Sequence, residues 1–551
     1  MLDDTVVPNW VARIIEDIEQ SSAAKIVLYI LRAPEREPPV PFLRRLVRGF
    51  VARWRTQLFT SYVNWDYRKH RAEPDAFAPR DLSQKVSSID TLAVSPITNK
   101  WSDRLTSTDL EAVRQRELDV ILRFGFRILR GPILSAARYG IWSYHHGDNR
   151  FYRGGPAFFW EVFRRDPVCG TILQRLTERL DYGDIIHRSI SATNPTSLYA
   201  TRNAAYWKAA GAVRRRLEDL ASLGWDRVAA LYPRDPAARP GRLYRTPGPL
   251  TVLLFLARLR FHALAEKTRG RIFHEKWAIG FRTRSADLPW TDRRPFTFGT
   301  PPDGHFYADP FLVTHMGRTS VFFEDFVSDV NKGRICCAEV TRAGVGTPEV
   351  ALESDTHLAY PYVFAVEGKV YMTPESTARR RVELWQAMSF PNEWRMVKVL
   401  IDDVIAVDPT LVRLADEFWL FVGIAPSGAA SEHELHAFHA RDLFGSWVPH
   451  PRNPLSSDIR NARPAGRPFQ TDDGLIRPGQ DCSVRYGRAI TLSLVDQLSR
   501  AEFSESPFER ITAPAVAPRA VAAHTYDRNE DFEVVDAVIR RWSLRPPDRV
   551  R

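Results

Sequence analysis

The chain has 551 residues, more than the ~250–300 that one hydrophobic core accommodates, so several domains are expected. Hydrophobic content of 44% and charged content of 26% exclude wholesale disorder, and four cysteines without a Cys-x-x-Cys exclude a disulfide scaffold or zinc ribbon and point to a reducing compartment. A net charge of +11 favours an anionic partner, such as a nucleotide, a phospholipid surface or RNA, without choosing among them.

The opening MLDDTVVPNW has no basic segment followed by an apolar one, so no secretory signal and a cytoplasmic protein are expected. NWVARIIEDIEQ (9–20) has helical apolar spacing, and KIVLYIL (25–31) reads as a strand. Residues 42–59 put Leu43, Leu46, Val47, Phe50, Val51 and Trp54 on one helical face. LDVILRFG (118–125) and GIWSYHH (140–146) read as strands, with a helical GPILSAARYG between them, and a long helical stretch spans 197–223. Alternating strand and helix predicts an α/β, Rossmann-like domain over 1–223, with a parallel sheet under helices.

Within it, residues 143–186 carry an ordered set of motifs. Ser143 and His145 stand on a strand, Tyr152-Arg153-Gly154 follows, Gly170-Thr171 opens another strand, and Asp181 and Gly183 lie in LDYG. With Phe124 and Gly125 upstream, this pattern resembles the formyltransferase family of methionyl-tRNA, glycinamide ribonucleotide and amino-sugar N-formyltransferases. The resemblance implies formyl transfer from 10-formyltetrahydrofolate to an amine, with His145 stabilising the oxyanion and Asp181 moving protons. It implies a donor pocket shaped by Phe124, Gly125, Tyr152, Arg153, Gly154 and Gly183. Ser143 departs from the family's Asn at that position, which puts one oxyanion donor in doubt. His146 is expected to face the opposite way and be structural.

Residues 224–248 are rich in Pro, Arg and Gly and read as a linker, followed by a helix over 250–267. The linker and connecting helix are placed at 224–272. The helix is either buried against one domain or a basic amphipathic element in peripheral contact with a membrane. Its apolar stretch, Leu250 to Leu264, is too short and too charged to span a bilayer.

From 273 to 540 the pattern changes to short strands, and four segments repeat a Pro dipeptide, an apolar strand, a tight turn and a second strand. The prolines are Pro310, Pro361, Pro409 and Pro464, spaced by 51, 48 and 55 residues. Such a repeat predicts a five-bladed β-propeller, closed by pairing 277–282 with 488–495; a two-sheet sandwich is the alternative. Residues 541–551 are read as a tail. Asp309, Glu375, Asp408 and Arg463 are the candidate funnel residues. The segment resembles five-bladed propellers of the arabinanase and family 43 glycosidase type, and more closely the N-terminal domain of glucosamine inositolphosphorylceramide transferases. The glycosidase resemblance implies Asp309 as base, Glu375 as acid and Asp408 as modulator, or the same groups binding a sugar without cleaving it.

Two functions follow from the sequence. The first is an amino-sugar formyltransferase whose propeller positions a nucleotide-linked or lipid-linked glycan. The second is a glycoside hydrolase or a glycan-processing or glycan-binding protein, acting through the propeller on a degenerate formyltransferase scaffold. No metal and no nucleic acid are expected in either.

Overall fold

The computed structural model describes residues 1–33, 42–180, 182–232, 241–284, 294–425 and 432–542. It divides into two compact units, Met1–Phe261 and the described residues from His262 onward.

The first unit layers helices on small sheets. Helix Asn9–Glu19 buries Trp10, Val11, Ile14, Ile15 and Ile18, an i, i+4, i+8 stripe. That stripe shares a core with Trp142, Leu173 and Trp207. The main sheet runs, in spatial order, Asp184–Ala192, Val168–Arg175, Ile141–His146 and Ile121–Arg123. Only the last two strands are parallel; the other neighbours are antiparallel. A second parallel pair joins Tyr29–Arg32 to Thr91–Val94. The expected all-parallel sheet is therefore corrected to small mixed sheets, and a Rossmann-like formyltransferase domain is not evident.

Three further expectations change in this unit. The helical GPILSAARYG forms only a 3-10 turn, Pro132–Ser135, preceded by Gly131 at φ 80° and followed by Gly140 at φ 75°. The stretch 197–223 breaks at Gly211 into Leu198–Ala210 and Ala212–Leu223. The expected linker contributes a helix, Trp225–Ala230, and a strand, Arg242–Tyr244, that pairs in parallel with Tyr152–Gly154. It belongs to the first unit, whose boundary falls inside helix Pro249–Ile272.

The second unit is a ring of five antiparallel sheets. Four are successive meanders that begin at His305–His315, Ala359–Val366, Ala406–Leu414 and Arg463–Pro464. The fifth joins the two ends: Phe273–Thr283 pairs residue for residue with Phe532–Trp542, and Tyr526–Arg528 lies inside. Hydrogen bonds link the first blade to the fifth, the second to the third, the third to the fourth and the fourth to the fifth. Leu312 N–H donates to Asp527 at 2.7 Å, Tyr360 meets Thr410 at 2.8 Å, Gln480 reaches Asp408 at 3.1 Å, and Tyr526 N–H reaches the Ala465 carbonyl at 2.8 Å. Five blades closed on themselves make a propeller and rule out the sandwich.

The ring closes at a different seam from the expected one. Residues 277–282 pair with 533–538, whereas 488–495 form an inner part of the last meander. The tail boundary also moves, since strand Phe532–Trp542 runs past residue 541.

The Pro repeat has a geometric cause. In three blades the pairing register skips at the motif, between Ala308 and Phe311, Ala359 and Tyr362, and Val407 and Thr410. The residue before each proline is left-handed: Asp309 at φ 53°, Tyr360 at 43° and Asp408 at 53°. Proline has no N–H for the ladder and so sits where a bulge interrupts it. The bulge turns the preceding side chain toward a neighbouring blade. Arg463 holds the same place in the fourth repeat, at the start of its blade opposite Gln480.

Candidate functional site

In the first unit, Ser143 and His145 lie on one strand and line a cavity of about 230 Å³ together with Arg123, Gly154, Gln174 and Gly183. The Ser143 hydroxyl accepts a hydrogen bond from Arg123 Nη1 at 3.0 Å. His145 Nε2 lies 3.1 Å from the Tyr152 carbonyl, which only accepts, so Nε2 carries the proton of that bond. Asp181 lies outside the described residues.

Phe124, Gly125, Tyr152 and Arg153 also make packing or hydrogen-bond contacts. Phe124, partly buried, packs edge-on against Trp10 of the core at 5.7 Å. Gly125 is required because a Cβ there would stand 2.5 Å from the Asp3 backbone nitrogen. Tyr152 bonds the Asp166 carboxylate, and Arg153 donates to the Leu180 carbonyl at 3.0 Å. His146 stacks on Tyr206 at 3.6 Å, and burial holds it well below the usual imidazole range, as a neutral core residue.

In the propeller, the bulges bring Asp309 and Asp408 into a buried polar cluster with Glu375 and Arg463, so all four expected funnel residues meet. Arg463 forks onto the Asp408 carboxylate, with Nη2 at 3.2 Å from Oδ1 and Nε closer still to Oδ2. Gln480 donates to the same carboxylate at 3.1 Å. Glu375 Oε2 accepts the Asp408 backbone N–H at 2.9 Å and lies 3.7 Å from Arg463 Nη2. Burial pushes Asp408 up to about 7 against the opposing pull of Arg463, and neighbouring Glu375 adds to the rise. Burial raises Glu375 as well, with Arg463 again opposing.

Asp309 belongs to a second part of the cluster. Thr525 Oγ1 donates to its Oδ1 at 2.6 Å, and His524 Nε2 lies 3.3 Å from the same oxygen. The other ring nitrogen of His524 is 2.7 Å from Asp536 Oδ2, so the imidazole bridges two acids. Asp536 also accepts the backbone N–H groups of Asp309, His524 and Thr525 at 2.9, 2.9 and 3.0 Å. Burial pushes Asp309 up to about 6, His524 opposes, and Asp536 and Asp408 add to the rise. Burial disfavours the charged form of His524, but Asp536 and Asp309 outweigh it and its pKa is raised. Glu324 completes the group, held well above the carboxylate range by burial and by Asp309, Glu375 and Asp536.

Asp309, His524 and Asp536 each place a ligand atom within 4.8 Å of the others, a spacing that a divalent cation could also bridge. In the structure these groups are joined directly by hydrogen bonds and charge.

Sequence reasoning missed Glu324, Gln480, His524 and Asp536. Glu324 in VFFED and Asp536 in VVDAV were detectable as acids inside apolar strands. His524 left no such signal, because it acquires its partners only when the ring closes. The cluster reaches solvent beside Glu375 and Arg463, where Tyr486, 45% exposed, lies under the Arg463 guanidinium at 5.1 Å. Tyr486 and Trp277 flank the His524 ring at 4.9 and 4.3 Å.

Comparison with known proteins places similarity on this unit. Residues 297–533 match the family model described as glucosamine inositolphosphorylceramide transferase 1, N-terminal. A rice relative of that name (Oryza sativa subsp. japonica) is 35% identical over 237 residues, 41% of this chain and 32% of its own length. The Arabidopsis thaliana protein is 34% identical over 207 residues, 36% and 27% of the two chains. This chain therefore spans about a third of the curated relatives it matches. A family 117 glycoside hydrolase from Zobellia galactanivorans aligns at a TM-score of 0.31 and 14% identity, over 47% of this chain and 90% of its own.

These matches correct the leading expectation from sequence. They lie on the propeller and carry the name of a glycan-lipid transferase, so the reading of the chain as a formyltransferase is overturned. The stretch shared with the glucosamine inositolphosphorylceramide transferases is the propeller that holds Asp309, Glu324, Glu375, Asp408, Arg463 and His524.

Proposed function

We propose that the propeller cluster carries out glycosidic-bond chemistry on a lipid-linked glycan, the kind of molecule named in its relatives. The observation that carries this reading is the pair of buried carboxyls raised into the neutral range, Asp309 to about 6 and Asp408 to about 7, in one cluster. Such chemistry needs one group protonated and one ionised at the same pH. The Glu375–Asp408 pair holds a proton and reaches solvent through Glu375, which suits it to protonate the leaving glycosidic oxygen. Asp309 becomes ionised at lower pH, with His524 beside it, and suits the role of base. It takes a proton from water or from an acceptor hydroxyl, whose oxygen bonds the anomeric carbon as the C–O bond to the leaving group breaks. A water acceptor gives hydrolysis, and a hydroxyl acceptor gives transfer. The Tyr486 ring at the rim offers a flat surface on which a sugar can stack.

The test is turnover of a glycosylated inositolphosphorylceramide headgroup by the full chain, followed by mass spectrometry with and without an alcohol acceptor. Expected is release or transfer of the sugar, reduced about 10²-fold or more by Glu375→Gln and by Asp309→Asn. A second reading is favoured by one observation: Asp408 is only 1% exposed and locked by Arg463. The cluster would then bind the sugar without cleaving it, and the same experiment would give tight binding without product.

A further inference from the structure

Two sheets of the first unit turn an edge toward one another. Strand Tyr29–Arg32 pairs on one side with Thr91–Val94, and strand Ile121–Arg123 pairs on one side with Ile141–His146. Met1 and Leu2 lie between their other sides and run parallel to both. Leu2 N–H donates to the Ile30 carbonyl at 3.0 Å, and the Leu2 carbonyl accepts the Arg32 N–H at 3.2 Å. The Met1 amine donates to the Leu122 carbonyl at 2.7 Å, and the Met1 carbonyl accepts the Phe124 N–H at 3.1 Å. These are the ladder bonds of a strand between two parallel neighbours, and Met1 and Leu2 form its carboxyl-terminal end.

On the amino side of Met1 the path of that strand is a cavity of about 680 Å³, walled by residues 25–30 and 118–122. A strand residue turns its N–H and C=O to the same side. The Ile30 and Leu122 carbonyls point at Leu2 and Met1, so the N–H groups of Ile30 and Leu122 point into the cavity. The side chain of Met1 enters one core, with Ile30 and Ile121, and that of Leu2 enters another, with Ile15 and Ile18. Side chains alternate along a strand, so residues before Met1 would meet apolar surface on both faces, the setting of a central parallel strand. With a rise of about 3.3 Å, a strand spacing of about 4.8 Å and a layer spacing of about 10 Å, the cavity has room for about four strand residues.

An acyl chain would fill this space but leave both N–H groups without acceptors. A separate peptide running in the same direction would press its terminal carboxylate against the Met1 amine, burying two charged ends where a peptide bond buries none. Burial already lowers that amine to about 5, and Arg123 adds to the fall. As a peptide nitrogen the same atom carries no charge and keeps its bond to Leu122. We infer that the polypeptide continues on the amino side of Met1, and that about four apolar residues there form a central strand joining the two sheets of the first unit into one. The inference stands apart from the propeller chemistry.

The experiment reads the amino end of the protein as its own cells make it. A tag is added at the carboxyl end of the chromosomal gene, the DNA before Met1 is left untouched, and the purified chain is sequenced by mass spectrometry. Expected are residues before Met1, among them an apolar run free of proline. A chain that begins at Met1 overturns the inference. Hydrogen exchange gives a second reading: the Ile30 and Leu122 amides should exchange at least about tenfold more slowly in the longer chain than in one made to begin at Met1. Equal exchange overturns the inference even where upstream residues are present, since they would then lie elsewhere. A chain that begins at Met1 and has both amides protected by a co-purified peptide overturns it in favour of a separate occupant.

Discussion

Burial pushes Asp309, Glu375 and Asp408 upward, and the neighbour that opposes the push differs among them. At Asp309 it is His524, and at Asp408 and Glu375 it is Arg463. Activity through this cluster requires Asp309 ionised and the Glu375–Asp408 pair protonated. The rate should therefore climb as pH rises through about 6 and fall as it passes about 7. A plateau extending past pH 9 in kcat/KM would remove the pair from the proton-donor role. Arg463→Met should shift the falling limb to higher pH, because it removes the cation that draws the pair toward ionisation, while the rising limb set by Asp309 stays in place. A rising limb that moves equally would mean that Arg463 acts on the whole cluster and not on the pair.

Three of the five blades begin with a strand that must stop pairing for one step and then resume. The Pro dipeptide supplies this locally, which is why the blades were legible in the sequence: a residue that cannot donate to the ladder marks the interruption wherever it occurs. Ring closure has no comparable local mark. The segments 488–495 and 532–542 are both apolar and rich in β-branched residues, and which of them meets 277–282 depends on a register set across the whole propeller. In the first unit the motif residues were legible as a set, and Ser143, His145, Gly154 and Gly183 do line one cavity. Phe124 and Gly125 also stand against Trp10 and Asp3, and a short motif cannot separate a glycine kept for close approach from one kept for a ligand. The last meander turns at Gly466, with φ 129° and a Cβ position 1.8 Å from the Tyr526 carbonyl oxygen. Gly466→Ala should cost more than about 2 kcal/mol, from backbone strain and this clash together. Gly317→Ala, left-handed but facing open space, should cost about 1 kcal/mol. Urea midpoints of the two variants check the order, and equal losses would mean that Gly466 is not pressed against the neighbouring blade.

At the scale of the molecule, the propeller is held shut by one long seam, since Phe273–Thr283 and Phe532–Trp542 run antiparallel over eleven residues. The seam does two things at once. Its inner neighbour Tyr526–Arg528 carries Asp527, which binds Arg467, and Arg467 also donates to the Leu312 and Val363 carbonyls, so one half-buried guanidinium ties its own blade to three others. Its own strand carries Asp536, which orients His524 and Asp309. Closure and assembly of the candidate site are thus one event. Ending the chain at Ala523 removes both strands and leaves Arg467 buried without its acid, a loss of several kcal/mol beyond the lost apolar burial. The expected result is loss of a cooperative propeller melt and of near-ultraviolet dichroism, with no glycan binding, instead of local fraying. The matched control is Val448→Lys on an exposed outer strand, which should stay within about 0.5 kcal/mol of the parent. A shortened chain that still melts cooperatively would mean that four blades stand without the seam. Asp309 would then have to be placed by its own bulge, and binding of the sugar by that shortened chain would exclude His524 and Asp536 from the site.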